Sequence, residues 1–315
     1  MDALIPRQRR PRPPARSWRS PVTSPFVRRR RLATELRTLR EQHGMTADDL
    51  ARRIYRSRMT VSKLENARCR PDVGDIVKIM KVLGITGGKF DEIFKIACDA
   101  AERGWWDAYG DAMGARQRMY ADIESGAATI RGYNQMSIPG LVQSPEFVQA
   151  LIDLDLAEGS EIGYVPERTI QARLQRQQTF FRPGGPTAEI VLDEFVLKRL
   201  AVPAATMASQ LRHTVDVVSR QPHFTILVLP LDARLSPGRL PPSTYVMYTF
   251  PDPVDRPMVV AENANTDLVH TVPGEVAKYE RLHDRLRQAT LPALESLSLL
   301  ADTADRLSEQ AGYDT

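Results

Sequence analysis

The sequence predicts two joined units: a mainly α, five-helix helix-turn-helix domain at the N-terminus, and an α+β domain with a small mixed or antiparallel sheet behind it. Three observations carry this. Apolar residues recur at helical spacing in five blocks over residues 32–103. Residues 46–65, TADDLARRIYRSRMTVSKLE, read as two short helices around a tight turn, the second one basic. Beyond residue 188 the pattern changes to short β-rich runs separated by turn residues and further helices.

The chain divides at 1–31, 32–103 and 104–315. Residues 1–31 are rich in Arg, Pro and Ser and offer little to bury, so a disordered arm is expected. In the first helical block Leu32, Leu36 and Leu39 form a stripe, and Gly44 closes it. Thr46 and Asp49 have capping-box spacing, and Leu50, Ala51 and Ile54 line the next helix. Ser57 is an N-cap for a helix whose inward positions are Val61 and Leu64. Pro71-Asp72 opens the fourth helix, and Gly84 ends it. Gly87-Gly88 precedes the fifth, with Phe90, Ile93, Phe94, Ala97 and Ala101 on one face.

In the second unit, Tyr120, Ile123, Ala127 and Ile130 share a helical face. Ser144-Pro145 starts a helix with proline at its first position, where the missing N–H costs nothing. Pro166 starts another. Strands are expected at 188–193, 225–230, 244–250 and 258–262, with a helix at 204–219 between the first two. Helices at 274–289 and 292–307 close the chain.

Composition narrows the class. Hydrophobic residues make up 42% and charged residues 26%, as in soluble globular proteins. No apolar run approaches the ~20 residues that span a bilayer, and no signal-peptide pattern is present. A cytoplasmic protein associated with the nucleoid is expected. Cys69 and Cys98 are too few for a disulfide framework. Charge is unevenly placed. Residues 3–31 hold ten arginines and no acid, whereas residues 104–315 hold nineteen basic and twenty-seven acidic residues. A basic front on an acidic back suits a nucleic-acid-binding head on a body that does not touch nucleic acid.

The chemistry concentrates between Arg52 and Arg70, with seven basic residues and one acid, Glu65. That density suits a phosphate surface. Placed on the second short helix, Arg58, Met59 and Lys63 are expected to face base edges, while Ser57, Thr60, Ser62, Arg68 and Arg70 hold phosphates. Repressor-type heads gain specificity from two half-sites, so a homodimer on palindromic double-stranded DNA is expected. The bland alternative is a solvated basic hairpin in an ordinary bundle.

The pattern Leu50-Ala51, Val61-Ser62-Lys63-Leu64-Glu65 and then Asn66-Ala67-Arg68-Cys69-Arg70-Pro71 resembles the phage-repressor-like, XRE-type helix-turn-helix family. The resemblance implies a structural ion pair between Arg40 and Glu65. Two positions depart from it. Tyr55 stands where glycine is usual, which predicts a relaxed turn, and Ala47 replaces a common glutamine.

From about residue 103 to 307 the chain is similar to actinobacterial Scr1-family regulators whose body is the domain DUF5753. The matching pieces are Gly104-Trp105-Trp106, Ile130-Arg131-Gly132-Tyr133, Ile138-Pro139-Gly140-Leu141-Val142-Gln143 and Arg173-Leu174 with Arg176-Gln177. Val191-Leu192-Asp193-Glu194, Ile226-Leu227-Val228-Leu229-Pro230 and Phe250-Pro251-Asp252-Pro253 follow. The resemblance implies an antitoxin-like transcriptional regulator, gated by a small DUF397-type partner protein.

Trp105, Trp106 and Tyr109 cluster at the junction of the two units, and are expected to form a packing seam, a dimer contact or, with Tyr133, a pocket wall. A pocket would make the chain a ligand-sensing transcription factor. No HExxH, GxSxG or CxxC occurs, and none of the five histidines is spaced as a metal pair. No enzyme, cofactor or metal is therefore expected.

Overall fold

A computed structural model describes residues 23–158, 165–235, 240–263 and 265–313. The head comprises α1 (Pro25–Gln42), α2 (Ala47–Arg53), α3 (Arg58–Glu65), α4 (Val73–Val82) and α5 (Gly87–Ala101). A 3₁₀ segment, Trp105–Met113, leads into α6 (Gly114–Gly126). The body continues with β1 (Thr129–Asn134), α7 (Pro145–Ala157), α8 (Pro166–Phe180), β2 (Thr187–Asp193), the single turn α9 (Phe195–Lys198), α10 (Ala204–Arg220) and β3 (Phe224–Leu229). Then come β4 (Tyr245–Thr249), β5 (Met258–Ala261), β6 (Leu268–His270), α11 (Pro273–Gln288) and α12 (Ala293–Tyr313).

The head is a helical bundle around Leu36, Leu50, Ile54, Val61, Ile76 and Ile93. The body is α+β. Its six-stranded sheet has the order β3-β2-β1-β4-β5-β6. Strands β3, β2 and β1 run parallel; β4 pairs antiparallel with β1, and β5 and β6 each pair antiparallel with the strand before. Strand residues alternate between two cores. Ile190, Leu192, Ile226, Tyr248 and Val260 join one, with α6, α10 and α12 residues such as Ile123, Leu211 and Leu300. Val191, Tyr133, Tyr245 and Val259 join the other, closed by Val276 and Leu286 of α11. Burial on both faces explains why these strands read as continuous apolar runs.

One helical expectation fails. Ile130 does not extend the face of Tyr120 and Ile123. Helix α6 stops at Gly126, Ala127 is extended at φ −71, ψ 146, and Ile130 lies in β1 between β2 and β4. The pairing strands are more than fifty residues away, and their hydrogen bonds outweigh local helical periodicity.

The boundary of the expected disordered arm also fails. Residues 1–22 lie outside the described residues, but residues 25–31 are helical. Ser24 Oγ accepts the Val27 N–H at 3.2 Å, and Pro25 occupies the first turn, so the helix starts seven residues before Leu32. Val27 is buried in the body core, whereas Leu32 and Leu36 are buried in the head core. Helix α1 thus belongs to both units.

Three of the four arginines in its first turns, Arg28, Arg29 and Arg31, are paired rather than solvated. Arg28 lies 3.0 Å from Asp252 and 3.1 Å from Asp255. Arg29 lies 3.0 Å from Asp122. Arg31 reaches Glu92 at 3.0 Å and Asp252 at 3.1 Å. Asp122 also accepts from Ser24 Oγ and the Phe26 N–H, both at 2.8 Å. Burial pushes the Asp122 and Asp255 carboxyls up, against the pull of these arginines. The Val254 N–H and Arg28 hold Asp252 down.

The start of α1 sits directly on the end of α6. A Cβ at Gly126 would lie 2.2 Å from Ser24 N, a backbone atom that cannot rotate away. Gly126→Ala is therefore expected to cost about 1–3 kcal/mol of stability by chemical denaturation. Native stability in that variant would mean that α1 is not seated there.

Candidate nucleic-acid interface

The surface is built from the ends of three helices. At the start of α2, Thr46 Oγ1 accepts the Asp49 N–H at 3.1 Å, and Asp49 accepts the Thr46 N–H at 3.2 Å. The Thr46 hydroxyl, which donates to Asp49 Oδ2 at 2.6 Å, then Arg52 and the Thr46 N–H, hold the Asp49 carboxyl low, at about 2. At the start of α3, Ser57 Oγ accepts the Thr60 N–H at 3.2 Å.

Helices α1 to α4 all end in the same way. The residue after the cap donates to the carbonyl three back, and the next residue donates to the carbonyl five back, the Schellman pattern. In α2 these bonds are Tyr55 N to Arg52 O at 3.3 Å and Arg56 N to Ala51 O at 2.9 Å. In α3 they are Ala67 N to Leu64 O at 3.1 Å and Arg68 N to Lys63 O at 2.8 Å. The motif needs a left-handed residue. Gly44 and Gly84 supply it in α1 and α4, at φ 63 and 66. Tyr55 and Ala67 supply it around α3, at φ 56 and 54. The turn is therefore not relaxed by the missing glycine. Tyrosine adopts the glycine conformation because two backbone hydrogen bonds hold it there.

Helix α3 buries Val61, Leu64 and Glu65 and turns Arg58, Met59, Ser62 and Lys63 outward. Met59 is 65% exposed. Ser57 and Arg68 are exposed, and Thr60 is half-buried with its hydroxyl 3.0 Å from that of Ser57. Arg58 sits 3.6 Å from Asp48 at the start of α2, with both groups in solvent. Arg70 is differently placed. Its guanidinium donates to Asp107 at 2.8 Å, and Asp107 also accepts the Gly104 N–H at 3.1 Å.

Buried charge fixes this surface from behind. Arg40 Nε donates to Glu65 Oε1 at 2.6 Å and Arg40 Nη2 to Glu65 Oε2 at 2.9 Å, a two-pronged pair that raises the Arg40 pKa further. Arg40 also donates to the Met45 carbonyl at 2.7 Å. Removing one partner of such a pair typically costs about 3–5 kcal/mol. Arg56 donates to Asp75 at 2.7 Å, tying the turn to α4 and holding the Asp75 carboxyl down.

The four aromatic residues do not form one site. Trp106 is buried with Met113, Ala121 and Ala172, and Trp105 meets Trp106 and Tyr109 edge-on at 5.9 and 5.8 Å. This is packing of the 3₁₀ segment on α6 and α8. Tyr133 is elsewhere, on β1, and donates to Asp193 Oδ2 at 2.7 Å. It lines a crevice of about 480 Å³ at the carboxyl ends of β1, β2 and β3, with Phe195, Leu229 and Leu231. Such crevices are the usual ligand sites of parallel sheets.

Among the described residues, no group of three or more His, Cys, Asp or Glu is placed to hold a metal. No helix among them is long and apolar enough to cross a membrane. Burial raises the pKa of both free cysteines.

Residues 117–302 match the family described as domain of unknown function DUF5753. The chain belongs to the DUF5753 family. In this DUF5753 chain, residues 31–93 match a helix-turn-helix domain, so the N-terminal part is a DNA-binding regulatory module. No curated protein and no solved structure matches the chain.

Sequence reasoning missed the junction. Arg28, Arg29 and Arg31 read from composition as part of an arm, although Ser24-Pro25 carries the same signature that marks α7 at Ser144-Pro145. It missed the Asp107 partner of Arg70 because no local pattern relates residues 37 apart.

Two outcomes test the local physics. A left-handed L-residue costs about 1–2 kcal/mol, offset by the ~0.5–1 kcal/mol of extra chain entropy that glycine loses. Tyr55 is 91% exposed, so its ring gives up little packing. Tyr55→Gly is expected to stabilise the protein by about 0.5–1 kcal/mol in denaturant titrations. The folded Asp49 pKa lies below its unfolded value, so its contribution is present above the ordinary carboxylate range and lost as pH falls toward about 2. The melting-temperature gap between wild type and Asp49→Asn is expected to close across that window.

Proposed function

We propose that the chain is a sequence-specific transcriptional regulator that places α3 in the major groove and binds as a homodimer to a palindromic operator. The observation that supports this reading best is the outward face of α3. Arg58, Met59 and Lys63 project from a helix anchored by the Arg40–Glu65 pair, with further basic residues in the following loop. In this reading Arg58, Met59 and Lys63 meet base edges, Arg58 as a guanine reader. Ser57, Thr60, Ser62, Arg68 and Arg70 hold phosphates. Arg70 reaches a phosphate by exchanging Asp107 for it, so docking on DNA loosens the contact between the basic loop and the 3₁₀ segment.

The resemblance to Scr1-type regulators supports a repressor or antitoxin-like role in the cytoplasm, with DNA binding gated by a small DUF397-type partner on the acidic body. A second reading has a specific observation behind it. The crevice beside Tyr133 and Asp193 is large enough for a small molecule, which favours a ligand-sensing factor.

The test is binding to the promoter region of the chain's own gene and its neighbours, titrated with salt, with and without the partner encoded beside it. Arg58→Ala is expected to cost about 1–3 kcal/mol and relax preference at one base position. Arg68→Ala is expected to weaken all sequences alike and flatten the salt dependence. Unchanged sequence preference in Arg58→Ala would reject this face of α3 as the reader.

A further inference from the structure

Between head and body lies a cleft of about 340 Å³ that neither reading above uses. One side is α1 and the end of α3, including Arg30, Arg37 and Asn66. The other side is the β4–β5 connection and the residue after β6, including Arg256 and Thr271. Val27, Ala33 and Met258, all buried, add apolar surface to a lining that is mostly polar.

The charges around it are not balanced. Three carboxylates border the cleft, and each already has a cation. Glu35 has Lys89 at 2.9 Å, Glu65 has Arg40 at 2.6 Å, and Asp255 has Arg28 at 3.1 Å. Two guanidiniums have no such partner. Arg30 is half-buried and makes a long hydrogen bond to Thr271 Oγ1 at 3.4 Å and a contact with the Phe26 ring at 5.9 Å. Arg256 has no carboxylate partner among the described residues. Burial lowers the Arg30 pKa with no acid to restore it. Arg30 is partly removed from water without an anion, which is costly, and a two-pronged acceptor would satisfy its fork of donors; Arg256, exposed at the cleft, adds a second cation.

We propose that this cleft binds a small organic anion through Arg30 and Arg256, a phosphate monoester or similar doubly charged group carried on a compact apolar body. The volume is at the lower end of the small-molecule range. The bound anion touches α1 on one side and the β4–β5 connection on the other, so its contacts depend on how the head sits on the body. A ligand with different affinity for two arrangements shifts their populations. Its effect on DNA rests on the reading of the head as a DNA reader; its binding does not.

The experiment is calorimetric titration of the full chain with phenyl phosphate in the absence of DNA, followed by DNA binding with and without it. Saturable binding is expected, weakened about tenfold or more in Arg30→Gln and in Arg256→Gln, since each removes a charge-assisted bond. Arg256 is exposed, so that variant keeps the fold, which its melting curve checks. Arg281→Gln removes one exposed charge from α11, away from the cleft, and is expected to bind as the wild type does. No binding, or equal loss in Arg281→Gln, would overturn the site. Lower DNA affinity and a shallower salt slope in Arg256→Gln, without phenyl phosphate binding, would assign the cleft to the DNA backbone and overturn it too. Binding that leaves DNA affinity unchanged would keep the site and reject its coupling to the head.

Discussion

Three arginines in the first two turns of α1 meet five carboxylates drawn from both units, and the arrangement of the molecule depends on those pairs. Glu92 and Asp99 come from α5 of the head, Asp122 from α6, and Asp252 and Asp255 from the β4–β5 connection. No single pair needs to be strong. Each charge is partly withdrawn from water, so leaving one without its partner costs more than the pair itself contributes. The helix is held in one register because only that register places Arg28, Arg29 and Arg31 opposite acids while Val27 enters the body core and Leu32 the head core.

This shared helix connects the two ends of the chemistry. Arg40, three turns further along α1, carries the bidentate bond to Glu65 that orients the end of α3. The position of α3 is thus referred to the body through one continuous rigid element. Around α3 the backbone is set by local bonds so strong that Tyr55 and Ala67 accept left-handed conformations on either side of it. The Arg70–Asp107 pair ties the loop after α3 to the 3₁₀ segment, a second route between head and body.

The sheet of the body combines two construction rules. Its parallel half needs long crossovers, supplied by α7 and α8 between β1 and β2 and by α10 between β2 and β3. Its antiparallel half is a meander. β1 sits where the halves meet, flanked by parallel β2 and antiparallel β4. The crevice holding Tyr133 and Asp193 opens at the carboxyl ends of the parallel half, where backbone ends and turns leave space that side chains do not fill.

Much of this was legible in the residues. Thr46 with Asp49, Ser57, Asp72 and Ser144 mark helix starts, and Gly44 and Gly84 mark helix ends, because caps are hydrogen bonds between residues three to five apart. The same locality makes the outward set Arg58, Met59, Ser62 and Lys63 readable from helical period alone. Ile130 misled because a few apolar residues fit a helix and a buried strand equally well, and strands β2 and β4 decide between them. The arginine run misled because charge next to prolines looks solvated until its partners are known, and Asp252 lies 224 residues from Arg28. The sequence by itself determined the helices of the head, their caps and the basic face of α3. Tertiary structure alone decided that α1 serves both units, that Arg70 is held by Asp107, and that Arg30 and Arg256 face one cleft, since bonds that close over such distances leave no period in the chain.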